Sequence, residues 1–230
     1  NFINMLLKIC KENKIKLIIP LVTLELLKLS EAKNLFKKNN IDILVSSYKS
    51  LKTLNDKGAL YSYLQINKIE IPKFELVNTK EEFIEAINKL GYPKLPVVMK
   101  PRISNGSRGV RVISADFDQY EFLFNKKPTS LFIKLENILA IIENKKLPPL
   151  LLTEYLPGDE VTIDCIIKED ILKKIIIRKR DQMRSGISTK GRFIEDQNIL
   201  KYIKKILLTF EGLDGPIGFQ LKRSYDKKFL

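Results

Sequence analysis

Apolar and polar positions in the first fifty residues alternate between two periods. Lys16-Leu17-Ile18-Ile19-Pro20 is a short apolar run with the length of a buried strand. Thr23 to Lys37 then places Leu24, Leu27, Ala32 and Leu35 at helical spacing, and Ile41 to Val45 is a second apolar run. Strand, helix, strand is the pattern of a parallel α/β unit, and residues 1–50 read as the remnant of one. Ser47 to Asn67 predicts a helix broken near Asp56-Lys57-Gly58, and Phe74 to Val77 a short strand. Thr79-Lys80-Glu81-Glu82 is a capping box that opens a helix to Leu90, which Gly91 ends.

From Pro96 the texture changes to short strands. Val97-Val98-Met99-Lys100-Pro101 and Val110 to Ile113 flank the polar loop Ile103-Ser104-Asn105-Gly106-Ser107-Arg108-Gly109, which predicts a hairpin. Helical stretches near Asp116 to Phe124 and Lys134 to Lys145 lead to a strand from Leu150 to Tyr155. After Pro157-Gly158, Glu160 to Cys165 alternates as a half-buried strand, and Ile171 to Ile177 is placed to pair with it. Arg180 to Lys190 is polar and contains glycine, so it is expected to be a mobile loop. Asp196 to Phe210 predicts a helix, Ile217 to Leu221 a strand, and Lys227 to Leu230 the start of another.

The 230 residues suffice for one large domain or two to three small lobes. No apolar run approaches the roughly 18 residues of a membrane span. Cys10 and Cys165 form no disulfide framework and no metal motif, so the cytoplasm is the expected compartment. The chain has no histidine, which excludes a Ser-His-Asp triad and a histidine-ligated zinc site. Acid–base work would fall to carboxylates, lysine or tyrosine, or the chemistry would rest on electrostatic stabilisation. A net charge of +14 raises the question of nucleic acid. The arginines cluster, however, at Arg102, Arg108, Arg111 and at Arg178, Arg180, Arg184, whereas the first hundred residues use lysine alone. Guanidinium forks suit bidentate binding of phosphate or carboxylate, and two local clusters fit a compact anion site better than a long track.

Two segments can carry that chemistry. Asn105-Gly106-Ser107-Arg108-Gly109 lies between strands, where its amides can line a phosphate or simply turn a hairpin. It is not a Walker loop, since no Gly-Lys-Ser/Thr opens a helix. Lys100, ending the strand before it, is well placed to reach a phosphate. Thr153-Glu154-Tyr155-Leu156-Pro157-Gly158-Asp159-Glu160 is either a plain connector or a hinge whose backbone reads a nucleobase edge, with a carboxylate beyond it for ribose hydroxyls.

The order of these pieces resembles the ATP-grasp superfamily: strand-Lys-Pro, glycine loop, strand, helices, Glu-Tyr-Leu-Pro-Gly, acidic strand and a late Gly-Phe-Gln strand. It is most similar to the carbamoyl-phosphate synthetase large chain and its stand-alone relatives. The likeness runs from about Ile19 to Leu230. It implies an α/β (α+β) fold in which two lobes with antiparallel sheets clasp ATP, preceded by the remnant of a parallel pre-ATP-grasp unit. Residues 1–50 would be that unit, 51–95 linking helices and the start of the ATP-grasp domain, 96–157 the small lobe with the glycine loop, and 158–230 the large lobe. Lys57 and Lys100 match basic nucleotide contacts, and Gly106 and Ser107 the loop over the phosphates. Glu154, Tyr155 and Leu156 fall on the adenine hinge, and Glu160 matches the ribose carboxylate. Gly186-Ile187-Ser188-Thr189 resembles a Gly-Ile-His-Thr segment against the nucleotide, with Ser188 in place of histidine. Gln220 matches a magnesium ligand. Arg178 and Arg180 share one strand face and are expected to meet a reacting anion; an exposed stripe or solvated side chains would also explain these positions.

The implied function is Mg-ATP-dependent activation of a carboxylate or bicarbonate as an acyl-phosphate, captured by an amine or ammonia. Its cofactors are ATP and Mg2+, a homodimer is allowed, and neither nucleic acid nor membrane is expected as a partner. A nucleotide-binding module without catalysis and a basic nucleic-acid binder are the rival readings. Family members carry Glu-x-Asn-Pro-Arg on the strand after Gln220, where this chain reaches Leu230. The expectation is therefore that these 230 residues bind ATP but form negligible acyl-phosphate on their own.

Overall fold

The computed structural model describes residues 2–104, 106–117, 131–184 and 187–230. The chain divides into two compact units, each assembled from separated stretches. One comprises residues 1–55, 161–178 and 193–220; the other comprises 56–160, 179–192 and 221–230.

In the first unit, helix α1 (Phe2–Glu12) precedes strand β1 (Leu17–Ile18), and α2 (Thr23–Glu31) and α3 (Lys33–Lys37) lead to β2 (Asp42–Ile43). β1 and β2 pair in parallel, Leu17 with Asp42 and Ile18 with Ile43, as the strand-helix-strand pattern requires. The predicted single helix from Thr23 to Lys37 is divided at Ala32, whose backbone closes α2 and opens α3. Cys10, Leu29, Phe36, Ile41, Ile43, Val45 and Leu51 form the core here, with Leu51 coming from α4 (Tyr48–Leu54). Asp214 is buried beside it, ion-paired to Lys33 at 2.9 Å, and its backbone amide donates to the Ser46 hydroxyl at 3.0 Å.

The second unit begins with α5 (Lys57–Ile66), β3 (Phe74–Val77) and α6 (Lys80–Lys89). Thr79 caps α6 by accepting from the Glu82 amide at 3.1 Å, while Glu82 reaches back to the Asn78 amide at 2.7 Å. β4 (Val97–Pro101), β5 (Arg111–Ile113), β6 (Phe132–Ile133), α7 (Leu135–Ile142) and β7 (Leu150–Glu154) follow. The sheet runs β3-β7-β4-β5-β6, antiparallel except for β5 with β6. Val77, Phe83, Ile87, Val97, Ile113, Ile138, Leu150 and Leu152 pack α6 and α7 onto it. The helix expected near Asp116 to Phe124 falls largely outside the described residues.

A second sheet, ordered β10-β9-β8-β11, is built from β8 (Glu160–Lys168), β9 (Ile171–Arg184), β10 (Ile187–Ile194) and β11 (Gly215–Lys222), with α8 (Gln197–Leu207) before β11. Each of its strands has residues in both units. Of the Arg180–Lys190 segment, expected as a loop, residues 180–184 are instead the far part of β9 and residues 187–190 the start of β10; residues 185–186 lie outside the described residues. Backbone pairing carries these strands where the side chains are polar and exposed, so no apolar period announces them. Lys227 to Leu230 forms no strand of its own; Leu230 and Lys222 exchange backbone hydrogen bonds at 3.0 and 3.1 Å, beside a bridge between Arg223 and Phe229. No helix among the described residues is long and apolar enough to cross a membrane.

Phe83 is fully buried in the second unit, whereas Leu21 is 89% exposed in the first. Phe83→Ala should cost about 3–5 kcal/mol and Leu21→Ala under about 0.5 kcal/mol, compared by urea unfolding. Hydrogen exchange distinguishes paired strands from a loop at the outer end of β9 and β10. Backbone amides of residues 180–184 and 187–190 should exchange with solvent more slowly than those of residues 106–109, even without nucleotide.

Candidate functional site

The position of Lys57 is set one residue earlier. Asp56 caps α5, its Oδ1 accepting from the amides of Gly58 at 2.9 Å and Ala59 at 3.2 Å. The same carboxylate takes the fork of Arg102, Nε to Oδ1 at 3.0 Å and Nη2 to Oδ2 at 2.7 Å. The Arg102 carbonyl accepts from the Lys57 amide at 2.9 Å, which closes the ring of contacts. Burial opposes ionisation of Asp56, but the bonds from Arg102 and the two amides prevail and hold its carboxyl below the usual range. The Lys57 ammonium donates to the Ser104 carbonyl at 2.8 Å and hydroxyl at 3.1 Å, at the entrance to the glycine loop. Burial first, and the charge of Lys100 second, push the Lys57 pKa down.

Lys100 is half-buried on β4, opposite Leu151 of β7. Among the described residues its ammonium has no hydrogen-bond acceptor and no direct ion pair. Burial lowers its pKa, against the pull of the Glu160 charge. Lys222, at the end of β11, lies with its ammonium 4.9 Å from the centroid of the Tyr155 ring. Burial lowers its pKa too, with Glu160 opposing and Lys100 adding to the shift. Three lysines thus form an electrostatically coupled row within one unit.

The hinge starts where β7 leaves the sheet. Glu154 is tied to β3 twice: its amide donates to the Lys73 carbonyl at 3.0 Å, and its Oε1 accepts from the Lys73 amide at 2.8 Å. Its side chain is therefore used for structure. Its charge, after burial, helps push the phenol of Tyr61 up to about 12. Tyr155 is half-buried and Leu156 buried, and both lie past the end of the ladder, where a ligand can meet their backbone. Beyond the turn, the Gly158 amide donates to the Arg223 carbonyl at 3.0 Å, and the Arg223 amide to the Asp159 carbonyl at 2.8 Å. A Cβ on Gly158 would stand 2.7 Å from the Arg223 Cβ, so this approach needs glycine.

Glu160 is ion-paired to Arg180 at 2.9 Å, and the Arg180 side chain is only 9% exposed. Beside it, Lys179 binds Asp159 at 2.7 Å, and that hydrogen bond holds the Asp159 carboxyl below its usual range. Arg178 instead makes an exposed pair with Asp164, Nε to Oδ2 at 2.7 Å. In the glycine loop, Gly106, Ser107 and Gly109 all have positive φ, at 59°, 57° and 75°, and all are exposed. A side chain at Gly109 would come within 2.5 Å of the Pro101 ring. Ser188 donates its hydroxyl to the Lys190 carbonyl at 3.2 Å, and Gly186 lies outside the described residues.

Lys57, Lys100, Gly106, Ser107, Glu154, Tyr155, Leu156, Glu160, Arg180 and Ser188 belong to one unit, whereas Arg178 and Gln220 belong to the other. Gln220 is exposed on β11, and no three His, Cys, Asp or Glu side chains gather as a metal cluster among the described residues. Lys57, Lys100 and the glycine-loop amides are groups that could hold a polyphosphate, and Gln220 carries one neutral oxygen. Two residues of the site are not singled out by sequence reasoning. Arg102 stands there only as a member of an arginine cluster, with no partner, and Lys222 does not figure at all. The signal that could find Lys222 is its place two residues after Gln220, on the same face of a strand.

Residues 146–230 match the family profile described as ATP-grasp in the biosynthetic pathway with Ter operon, and residues 1–44 match the profile of the PylC-like N-terminal domain. Over 193 residues the chain is 27% identical to the carbamoyl phosphate synthase large chain of Clostridium botulinum (strain Loch Maree / Type A3), covering 80% of this chain and 16% of that one. The biotin carboxylase domain of Hydrogenobacter thermophilus 2-oxoglutarate carboxylase, solved with MgADP, ADP and bicarbonate, superposes with a TM-score of 0.67 at 13% identity. That superposition covers 98% of this chain and 49% of the other. The D-alanine–D-alanine ligase of Bacillus anthracis, solved with ATP, gives a TM-score of 0.59 at 17% identity, covering 96% and 68%. The chain spans only 16–17% of the length of the first curated relatives it matches. It belongs to the ATP-grasp superfamily, related to ATP-dependent carboxylate-amine ligases and distantly similar to the carbamoyl phosphate synthase large chain.

Proposed function

We propose that the protein binds ATP in the unit that holds Lys57, Lys100 and the Glu154–Leu156 hinge, and uses the γ-phosphate to activate a carboxylate or bicarbonate. One observation carries this reading: Lys100 is withdrawn from water with no acceptor among the described residues, in a row of cations that starts at the hinge. A bound phosphate supplies the missing counter-charge. The backbone of Tyr155 and Leu156 takes the base edge. Glu160, oriented by Arg180, takes the ribose hydroxyls, and the exposed amides of Gly106 and Ser107 cover the phosphates.

In the reaction proposed, a carboxylate oxygen attacks the γ-phosphorus, the bond to the bridging oxygen breaks, and ADP departs with that electron pair. An amine or ammonia then attacks the acyl carbon and expels phosphate. Lys57 and Lys100 neutralise charge on the transferred group, and no side-chain nucleophile is required. Arg178 is assigned to the acceptor anion, since its guanidinium is exposed; Arg180 acts through Glu160. Gln220 would offer a magnesium ion one neutral oxygen, and the metal would supply neutralisation of phosphate charge. ATP, a small carboxylate and an amine are the proposed partners. Hydroxylamine trapping tests the chemistry: a hydroxamate that forms only with ATP and a carboxylate supports it. ATP binding by the full-length protein with no trapped product for any carboxylate or bicarbonate would leave a nucleotide-binding module.

Lys100→Ala should weaken ATP binding about ten- to a hundredfold, the loss of one charge-assisted hydrogen bond at about 1.5–3 kcal/mol. Lys8→Ala, at a lysine 74% exposed on α1, should leave it unchanged. Calorimetry on both variants checks this, and equal affinities would remove Lys100 from the site.

The lowered pKa values of Lys57 and Lys100 give a signed pH dependence. A depressed pKa means that the proton is lost earlier as pH rises, and a neutral amine no longer attracts phosphate. ATP affinity should therefore begin to fall below the ordinary lysine pKa of about 10.4, with binding taking up protons in that window. Titration at stepped pH reads it out; affinity flat up to that pH would contradict the assignment.

A further inference from the structure

Lys222 is absent from the set of residues that the family resemblance assigns, and its surroundings give it a distinct role. Its ammonium stands over the ring of Tyr155, 4.9 Å from the centroid, in the hinge segment. The next residue, Arg223, exchanges backbone hydrogen bonds with Gly158 and Asp159 at 3.0 and 2.8 Å, so the end of β11 is fixed against the chain that follows the hinge. The aromatic face accepts a charge but offers no lone pair for three N–H donors. Glu160 is the carboxylate whose charge reaches Lys222, and its Oε1 already takes Arg180 at 2.9 Å.

The cations have an order. Lys222 lies at the hinge, Lys100 stands on β4 opposite Leu151 of the strand that leads into the hinge, and Lys57 ends at Ser104 beside the glycine loop. A nucleotide whose base sits at the hinge and whose phosphates run toward that loop meets them in the same order. We propose that Lys222 is a nucleotide contact at the base end of the site, donating to the α-phosphate oxygens that ATP, ADP and AMP share. This rests on the nucleotide reading above. The two ends of the row then have different roles. Lys222 recognises what every adenine nucleotide carries, and Lys57 recognises what only the triphosphate carries.

Competition against a fluorescent ATP analogue tests it with ATP, ADP, AMP and adenosine. Lys222→Met and Lys222→Gln should weaken ATP, ADP and AMP by a similar factor, about tenfold, the loss of one charge-assisted contact. Adenosine, without phosphate, should bind these variants within about twofold of the parent protein, since the contact it lacks carries the loss. Lys222→Arg, which keeps the charge, should restore most of the affinity, and melting temperatures will show that the variants fold. Lys57→Met should weaken ATP more than AMP. Unchanged nucleotide affinity in Lys222→Met and Lys222→Gln overturns the proposal. So does an equal loss for adenosine and AMP, which would mean that Lys222 only supports the Tyr155 ring. Equal losses of ATP and AMP in Lys57→Met would overturn the order of the row. If the parent protein binds none of the four compounds, the nucleotide reading itself falls, an outcome distinct from parent-like binding by the variants.

Discussion

An ammonium group drawn out of water needs an oxygen to replace the solvent it has lost. Lys57 finds the carbonyl and hydroxyl of Ser104, while Lys100 and Lys222 have no direct ion pair among the described residues. The nearby carboxylates are already committed. Asp56 holds Arg102 through two bonds, and Glu160 holds Arg180. The unit thus uses Arg102 and Arg180 for permanent pairs, where a planar fork fits a carboxylate, while Lys100 and Lys222 make none among the described residues. That division of labour is the constraint on which the site depends. Were Asp56 or Glu160 to turn to a lysine instead, the positive excess facing a ligand would disappear.

The five-stranded sheet makes this excess sustainable. β4 and β7 are neighbours, and their register sets Val97 opposite Glu154 and Lys100 opposite Leu151. Three residues of extended chain, about 10 Å, therefore separate the hinge from Lys100 along the strand direction. The side chains beneath are fully buried, Leu152 and Val97 among them, so the strand carrying the charge has no freedom to withdraw it. At the other end, α5 cannot start anywhere but at Lys57, because Asp56 satisfies the first amides of that helix and Arg102 fixes Asp56 in turn.

Much of this was legible in the sequence because the signals are local. Phe74–Val77 and Val97–Pro101 are strands with the predicted bounds, since short apolar runs between turn residues have few alternatives. The helix break at Asp56 was legible for the same reason: an aspartate before Lys-Gly competes for backbone amides and becomes a cap. What depends on partners far along the chain was not. The outer parts of β9 and β10 carry Asp181, Gln182, Thr189 and Lys190, and their state is decided by backbone pairing. Glu154 read as a hinge residue, but its carboxylate closes on Lys73, 81 positions away. Arg180 read as an anion contact, and its counter-charge proved to be Glu160, itself a candidate. Pairing between two candidates is invisible until the fold brings them together.

The same distinction bears on how the basic composition is distributed. A net charge of +14 describes the whole chain and does not separate a lysine that solvates the surface from one that awaits a ligand. Burial does separate them. Among the described lysines, Lys57, Lys100 and Lys222 are those whose pKa is pushed down, in each case by burial first. Lys228 goes the other way, held protonated by its hydrogen bond to Glu70 on the open surface. A track for nucleic acid needs charges that remain in water and exchange counter-ions along a length of chain. Lys57, Lys100 and Lys222 are instead half-buried within one unit, the arrangement on which the polyphosphate proposal rests. The lysines whose charge burial opposes are those between Tyr155 and Ser104, the row to which the proposal above assigns a nucleotide.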